Sequence, residues 1–320
     1  MKRASLGTPI AEARVRRTAI ARLHGIFMAL HTHRRANVGL ARTARCLIGA
    51  ALLAAGTAHG QGSDELTALV NAYRDAPQRC EGMRMPPAGV LAPSEALTRV
   101  RVPPGTGLSQ GLDDAGYQAA TSRLIWVSGL ARADAVMAML AQSHCRTILD
   151  PRYTDIGVSR SGKRWRIVLA QPLLAPDLGD WQAAGRRTLE LVNAARTQPR
   201  SCGDKSFAAA PPLAWNEQLA AAARAHSSDM ARRSELGHAG SDGSTSAQRA
   251  TRQGYAWRAV GENVAGGQGS AEKVVAGWLA SPTHCANIMS PDFTEMGAAY
   301  ATNPESGMRI YWTQVFGRPQ

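Results

Sequence analysis

An α+β sandwich in each of two tandem domains is the architecture this 320-residue sequence predicts, on three observations. The second half repeats the first in four ordered blocks. Each half carries helices with an apolar stripe. Each half ends in two strand-like runs separated by a turn, and helices packed about an antiparallel sheet give that class of fold.

The repeat is read directly from the residues. ELTALVNAYRDAPQRCEG, from Glu65 to Gly82, aligns with TLELVNAARTQPRSCGD, from Thr188 to Asp204. The match resumes as VLAPSEALTRVR against PLAWNEQLAAAAR, as Gly116-Tyr117 against Gly254-Tyr255, and as SHCRTILDPRYTDIGVS against THCANIMSPDFTEMGAA. A repeat of domain length implies two globular units rather than a solenoid. The boundaries fall at 61–176 and 177–320, with Asp177 to Asp180 as the linker after the Pro172 and Pro176 bends.

In the second copy, Pro211-Pro212 stops a loop and Asn216 caps a helix running through EQLAAAARAHSSDMARR. Leu219, Ala223, His226 and Met230 share one face of it. A short helix fits Ala247 to Gln253. Another begins after Ser270, with Val274, Val275, Trp278 and Leu279 as its stripe until Pro282 interrupts. Gly261 to Gly267 is read as a loop. Strands follow at Glu295 to Ala301 and Arg309 to Phe316, around a turn at Asn303 to Gly307. The first copy repeats this with helices near Glu65 to Tyr73 and Ala133 to Ala141, and strands near Thr154 to Ser159 and Arg164 to Leu169.

Residues 1–60 read as a targeting segment. Arg34 to Arg45 is basic, Cys46 to Gly56 is apolar and small, and small residues precede Gln61. That is the layout of a secretory signal, with Met28 as an alternative start. The apolar run is shorter than the ~20 residues a bilayer needs, so no transmembrane helix is expected once it is removed. The destination is secreted or periplasmic.

The segment also carries most of the charge. Ten Lys/Arg against Glu12 make it +9, so the chain's +13 leaves +4 for residues 61–320. That balance, with no basic run interleaved with aromatics recognised, argues against a nucleic-acid partner. Outside the segment stand four cysteines, Cys80, Cys145, Cys202 and Cys285. An even count in an exported chain reads as a disulfide framework. Of three possible pairings the repeat selects Cys80 with Cys145 and Cys202 with Cys285, each closing a loop long enough to add on the order of 4 kcal/mol.

The copies differ where chemistry would sit. Between Arg224 and Gly254 the second copy holds about fifteen more residues than the first does between Arg101 and Gly116, and that insert contains His226, Glu235, His238 and Asp242. Glu262 stands where the first copy has Leu124, leaving His144 without the carboxylate that His284 has. Two imidazoles and a carboxylate in one cleft can bind a divalent metal such as zinc, or act as a general base with its orienter. His226 is placed on a helix face beneath that cleft, and Glu235 in solvent. Cys285 is committed to a disulfide, no GxSxG elbow occurs, and Gly266-Gly267-Gln268-Gly269 lacks the lysine of a phosphate loop.

The runs PPLAWNEQLAAAARAHSSDMA, GHAGSDG, GYAWRAVGENVAGG, VVAGWLASPTHCANIM, FTEMGAAY and YWTQVFG resemble the CAP superfamily of cysteine-rich secretory, antigen and pathogenesis-related proteins, in its bacterial, SCP-like form. The resemblance covers about Leu189 to Gly317, and more weakly Leu66 to Leu174. It implies an α-β-α sandwich, secretion, and a cleft gathering His238, His284 and Glu262. A second glutamate, three positions after the third-helix Trp in eukaryotic members, is Ser281 here. The functions it implies are an exported binding module for a small apolar, lipid-like or cell-envelope ligand, or a metal-dependent or His/Glu-assisted hydrolase of peptide or envelope material. A structural or protein-interaction module is the third expectation.

Overall fold

Each half opens on a helix whose final arginine is buried and spends its guanidinium on backbone carbonyls. In the computed structural model, which describes residues 58–173 and 179–320, Arg74 ends α1 (Ala58–Arg74) and donates to Gly89 O (2.6 Å), Ala88 O (2.7 Å), Tyr153 O (3.1 Å) and Asp150 O (3.2 Å). Arg196 ends α6 (Trp181–Arg196) and donates to Pro211 O (2.7 Å), Ile288 O (2.7 Å) and Ser290 O (2.8 Å). Three residues earlier, Asn71 and Asn193 each close a two-way bridge, to the backbones of Leu91 and Leu213. A guanidinium offers five donors, so one buried arginine satisfies carbonyls of several converging loops.

The rest of each half follows the same order. In the first half come β1 (Gln78–Cys80), β2 (Met83–Met85), β3 (Ala92–Pro93), α2 (Glu95–Arg99), α3 (Leu108–Asp114), β4 (Ala119–Ser128), α4 (Ala133–Ser143), α5 (Cys145–Ile148), β5 (Asp155–Ser161) and β6 (Arg164–Pro172). In the second come β7 (Arg200–Cys202), β8 (Lys205–Phe207), β9 (Ala214–Trp215), α7 (Glu217–Arg233), α8 (Ser246–Arg252), β10 (Trp257–Gly266), α9 (Ala271–Leu279), α10 (Pro282–Met289), β11 (Glu295–Thr302) and β12 (Ile310–Pro319). The sheets run β3-β5-β6-β4 and β9-β11-β12-β10, antiparallel except for the short parallel first pair of each. Cys80–Cys145 and Cys202–Cys285 are the two disulfides, as the repeat selects.

Helices cover both faces of the second sheet. On β11, a Cβ at Gly297 would strike the Ala220 backbone of α7, while the adjacent Ala298 carbonyl meets Gly185 of α6 on the opposite face. Glycine at both contacts lets backbone approach backbone. This is a mixed α+β fold with an α-β-α order of layers.

One sequence reading is corrected. Gly261 to Gly267 is largely strand, since β10 pairs with β12 from Trp257 to Gly266. The helix after Ser270 stops at Leu279 ahead of Pro282, as expected, and Pro282 then starts α10 at its first turn, where a missing N–H costs nothing. The signal segment lies outside the described residues apart from its last three, which open α1, and the linker Asp177–Asp180 lies outside them up to 178.

The halves pack together within one compact unit. Val90, 1% exposed, sits in the second half's core with Trp278, Ala265 and Val274. Lys273 Nζ meets Asp155 Oδ2 at 2.7 Å, and Tyr117 donates to the same oxygen at 2.9 Å.

Candidate functional site

His238 lies in the loop that leaves α7 through Ser234, a non-glycine residue at φ 58°. Asp229 of α7 holds that loop, accepting from Ser241 N at 2.8 Å and Ser241 Oγ at 2.6 Å. Thr245 caps α8 in a reciprocal box with Gln248, which fixes the helix that presents Arg249. Asn263 and Asn287 tie β10 to α10: Asn287 Nδ2 donates to Glu262 O (3.2 Å) and Asn263 Oδ1 (2.9 Å), and Asn263 Nδ2 donates to His284 O (3.2 Å).

Glu262 is the hub. Its Oε1 accepts from His238 Nδ1 at 2.9 Å and its Oε2 from Arg249 Nη2 at 2.6 Å. Burial pushes the Glu262 carboxyl up, but the His238 hydrogen bond and the His226 and Arg249 charges outweigh it and hold the group below the ordinary glutamate range. The His238 side chain is 59% exposed. The bond to Glu262, chiefly, raises its pKa above the ordinary value, aided by the charges of Glu262 and Asp75 and opposed by burial. Because a carboxylate only accepts, Nδ1 carries the proton and Nε2 is left for a ligand.

The other two histidines are buried. His226, fully enclosed, donates Nε2–H to Gly237 O at 2.8 Å and lies under Glu262, 3.8 Å away. Burial lowers its pKa. His284, 2% exposed, has Nε2 3.2 Å from Asp75 Oδ1. The carboxylate lies off the N–H direction, so neither ring nitrogen of His284 makes a hydrogen bond among the described residues. Burial drives His284 down to about 4, against the pull of Asp75.

Asp75, Arg249 and the asparagine pair were not singled out in the sequence. Asp75 comes from the first half, directly after α1, and also accepts from Thr283 Oγ1 at 2.8 Å. The Arg249 signal was present as the capping box that starts its helix. Glu235 is in solvent, paired with Arg233 at 2.9 Å, and Asp242 pairs with Arg252.

A zinc ion finds no ready shell here. Both Glu262 oxygens are engaged, one by a cation. Among the described residues the one set of three potential ligands within 4.8 Å of one another is Cys80, Glu81 and Cys145, whose sulfurs are bonded to each other.

The second half thus has helices on both faces of a mostly antiparallel sheet, a disulfide onto α10, and a His–Glu pair at the end of the sheet. The model of the cysteine-rich secretory protein family (CAP) matches residues 189–316 of the chain. YkwD of Bacillus subtilis (strain 168) is 34% identical over 131 residues, 41% of this chain and 46% of that protein. The chain thus spans about half the length of that curated relative. An extracellular SCP-domain protein of Bacillus anthracis aligns at TM-score 0.37 and 23% identity over 49% of this chain and 52% of its own. A cysteine-rich secretory protein of Staphylococcus aureus aligns at 0.37 or below, with TM-score 0.35 and 13% identity over 50% and 57%.

Proposed function

We propose that this is an exported CAP-domain binding protein whose first half, residues 61–176, is a degenerate tandem copy serving the site of the second, residues 177–320. The ligand has a small apolar or lipid-like body and a polar group, as a cell-envelope component does. The observation that carries the reading is a cavity of about 790 Å³ at the junction of the halves, where Leu69, Pro93, Ala276, Leu279 and Pro282 stand beside Asp64, Glu65, Arg200 and Asp204. Its volume suits a small ligand, and its mixed lining suits one with both an apolar body and a polar group. Pro282 stands two residues before His284 on α10. In this reading the cavity takes the apolar body and His238 Nε2 meets the polar group. Two disulfides and the basic, apolar, small-residue order of the N-terminus support export.

Titration of the mature protein with dansyl-undecanoic acid tests this. Saturable binding is expected, lost in Ala276→Trp and weakened in His238→Ala. No saturable binding sinks the reading. Loss in Ala276→Trp with no effect of His238→Ala removes the cleft from it. N-terminal sequencing of exported protein should begin near Gln61.

The His238–Glu262 pair favours a second reading, a hydrolase of peptide or envelope material with His238 as general base and Glu262 as its orienter. Its rate would rise with pH through the elevated His238 pKa and vanish in His238→Ala. An envelope-polymer or peptide digest unchanged by that substitution rules it out.

A further inference from the structure

In the second half the last turns of α7 cover one end of the sheet. Ser227 Oγ donates to Thr313 Oγ1 at 2.9 Å, and Met230 and Ala231 pack on Val264, Ala301 and Tyr311. The matching helix of the first half, α2, has 5 residues where α7 has 17. The end of the first sheet therefore lacks that longer helix, although Arg166 Nη2 still donates to Thr98 O of α2 at 2.9 Å, and its residues are of another kind. Arg166 of β6 stands between Ser159 of β5 and Trp126 of β4, where Thr313 stands between Ala299 and Val264. Arg164 stands between Ser161 and Ser128, where Tyr311 stands between Ala301 and Gly266.

Losing a covering helix requires only that the face become polar. This face became cationic with an aromatic floor. Arg101, Trp126, Ser159, Arg160, Ser161, Arg164 and Arg166 line a cavity of about 360 Å³. Among the described residues none of these four arginines is paired with a carboxylate, although most exposed arginines of the second half are. Arg166 is 7% exposed, and its Nε has no hydrogen-bond partner. Its guanidinium lies 5.9 Å from the centre of the Trp126 ring, and Trp126 is 54% exposed. A chain that is only +4 over residues 61–320 has thus placed four positive groups together and set no acid against them. The run Arg160, Lys163, Arg164, Trp165, Arg166 is a basic segment interleaved with an aromatic, which the whole-chain charge balance concealed.

We propose that this sheet end binds a phosphorylated glycan. Guanidinium groups take phosphate oxygens in bidentate pairs. An exposed indole gives a flat apolar platform for the C–H face of a sugar ring, and Ser159 and Ser161 offer hydroxyls to sugar hydroxyls. The cavity holds about one or two rings. A single-stranded nucleic acid needs a groove that tracks several successive phosphates and a series of stacking aromatics, and this face has one exposed Trp on two rungs of sheet.

Isothermal titration of the full mature protein with trehalose 6-phosphate, trehalose, inorganic phosphate and a ten-residue oligothymidylate tests the assignment. Trehalose 6-phosphate should bind at least tenfold more tightly than trehalose or phosphate, with quenching of Trp fluorescence. Arg101→Ala and Arg164→Ala, both at exposed positions, should each weaken it about tenfold, as loss of a charge-assisted hydrogen bond does. Trp126→Ala should weaken it and abolish the quenching. Arg123→Ala, on β4 but outside the cavity, should bind as the parent, and circular dichroism melts of all variants should superimpose. Equal binding of phosphate and trehalose 6-phosphate, tighter binding of the oligonucleotide, no binding at all, or insensitivity to Arg101→Ala and Arg164→Ala would each overturn the proposal.

Discussion

Asp75 of the first half stands 3.2 Å from the ring of His284 in the second half. A carboxylate thus reaches the buried histidine, supplied from the other half rather than from α9 or α10. Stable packing of the halves is therefore a condition of the site.

The first prediction is the acid sensitivity this creates. His284 falls from 6.5 to about 4 on folding because burial disfavours its charged form. Between those values the unfolded chain binds a proton that the folded chain refuses, so this group removes stability as pH falls from about 6.5 toward 4, by on the order of 3 kcal/mol at the limit. Glu262, held low, also loses stability as pH falls through its folded value. His238, held high, acts in the opposite sense, but its exposure leaves the contribution small. Urea midpoints should therefore drop between pH 7 and pH 4.5, and the drop should shrink in His284→Gln. In Asp75→Asn the ring titration of His284, followed by NMR, should move below about 4, since the one carboxylate raising it is gone. An unchanged midpoint would show that Asp75 does not act on the ring.

The second prediction concerns the Glu262 hub. Arg249→Met leaves a carboxylate that is 3% exposed without its cation, and should cost about 3–5 kcal/mol. Glu262→Gln should bring the His238 titration back toward its ordinary value. The double change should cost less than Arg249→Met alone, because no buried charge is left unpaired. Additive costs in chemical denaturation would mean that the two side chains are not coupled.

The third prediction tests the anchor of Asp75. Arg74→Lys retains the charge but offers three donors on one nitrogen in place of a fork spread over several carbonyls. It should destabilise by about 2–4 kcal/mol, as buried carbonyls lose partners. Arg196→Lys should behave alike in the second half. A cost below about 1 kcal/mol in calorimetry would contradict the role given to either arginine.

Much of this was legible in the chain. The repeat selected both disulfides, because each half places its two cysteines at matching points, and the resemblance carried by the GHAGSDG and GEN runs marked His238 and Glu262. The strand character of Gly261 to Gly266 was not legible, since its glycines and Asn263 read as loop; Gly261 is instead required because Phe293 occupies the space of its Cβ, at 2.6 Å. Asp75 could not be read at all. It is one of many surface-type acids until the packing of one half on the other brings it to His284, and that relation has no sequence spacing. Arg249 was hidden similarly, as a helix-face arginine whose partner lies thirteen residues on in a strand.

The last prediction is that the second half's core depends on a side chain from the first. Val90 is almost wholly enclosed among the second half's apolar residues, and Gln268 donates to its carbonyl. Gly277 of α9 makes the room: a Cβ there would come within 3.0 Å of Val90 Cγ2. Val90→Ala removes two buried methyl-sized groups and should cost about 2 kcal/mol. Gly277→Ala alone should cost about 1–2 kcal/mol through overpacking, even though alanine favours helix. Combined, the added methyl fills part of the vacated volume, so the double variant should be at least about 0.5 kcal/mol more stable than the sum of the singles predicts. Amide exchange should report the loss in Val90→Ala as reduced protection of α9, because the contact is between halves. Additive costs, or protection lost only in the first half, would show that Val90 merely touches the second core without helping to form it.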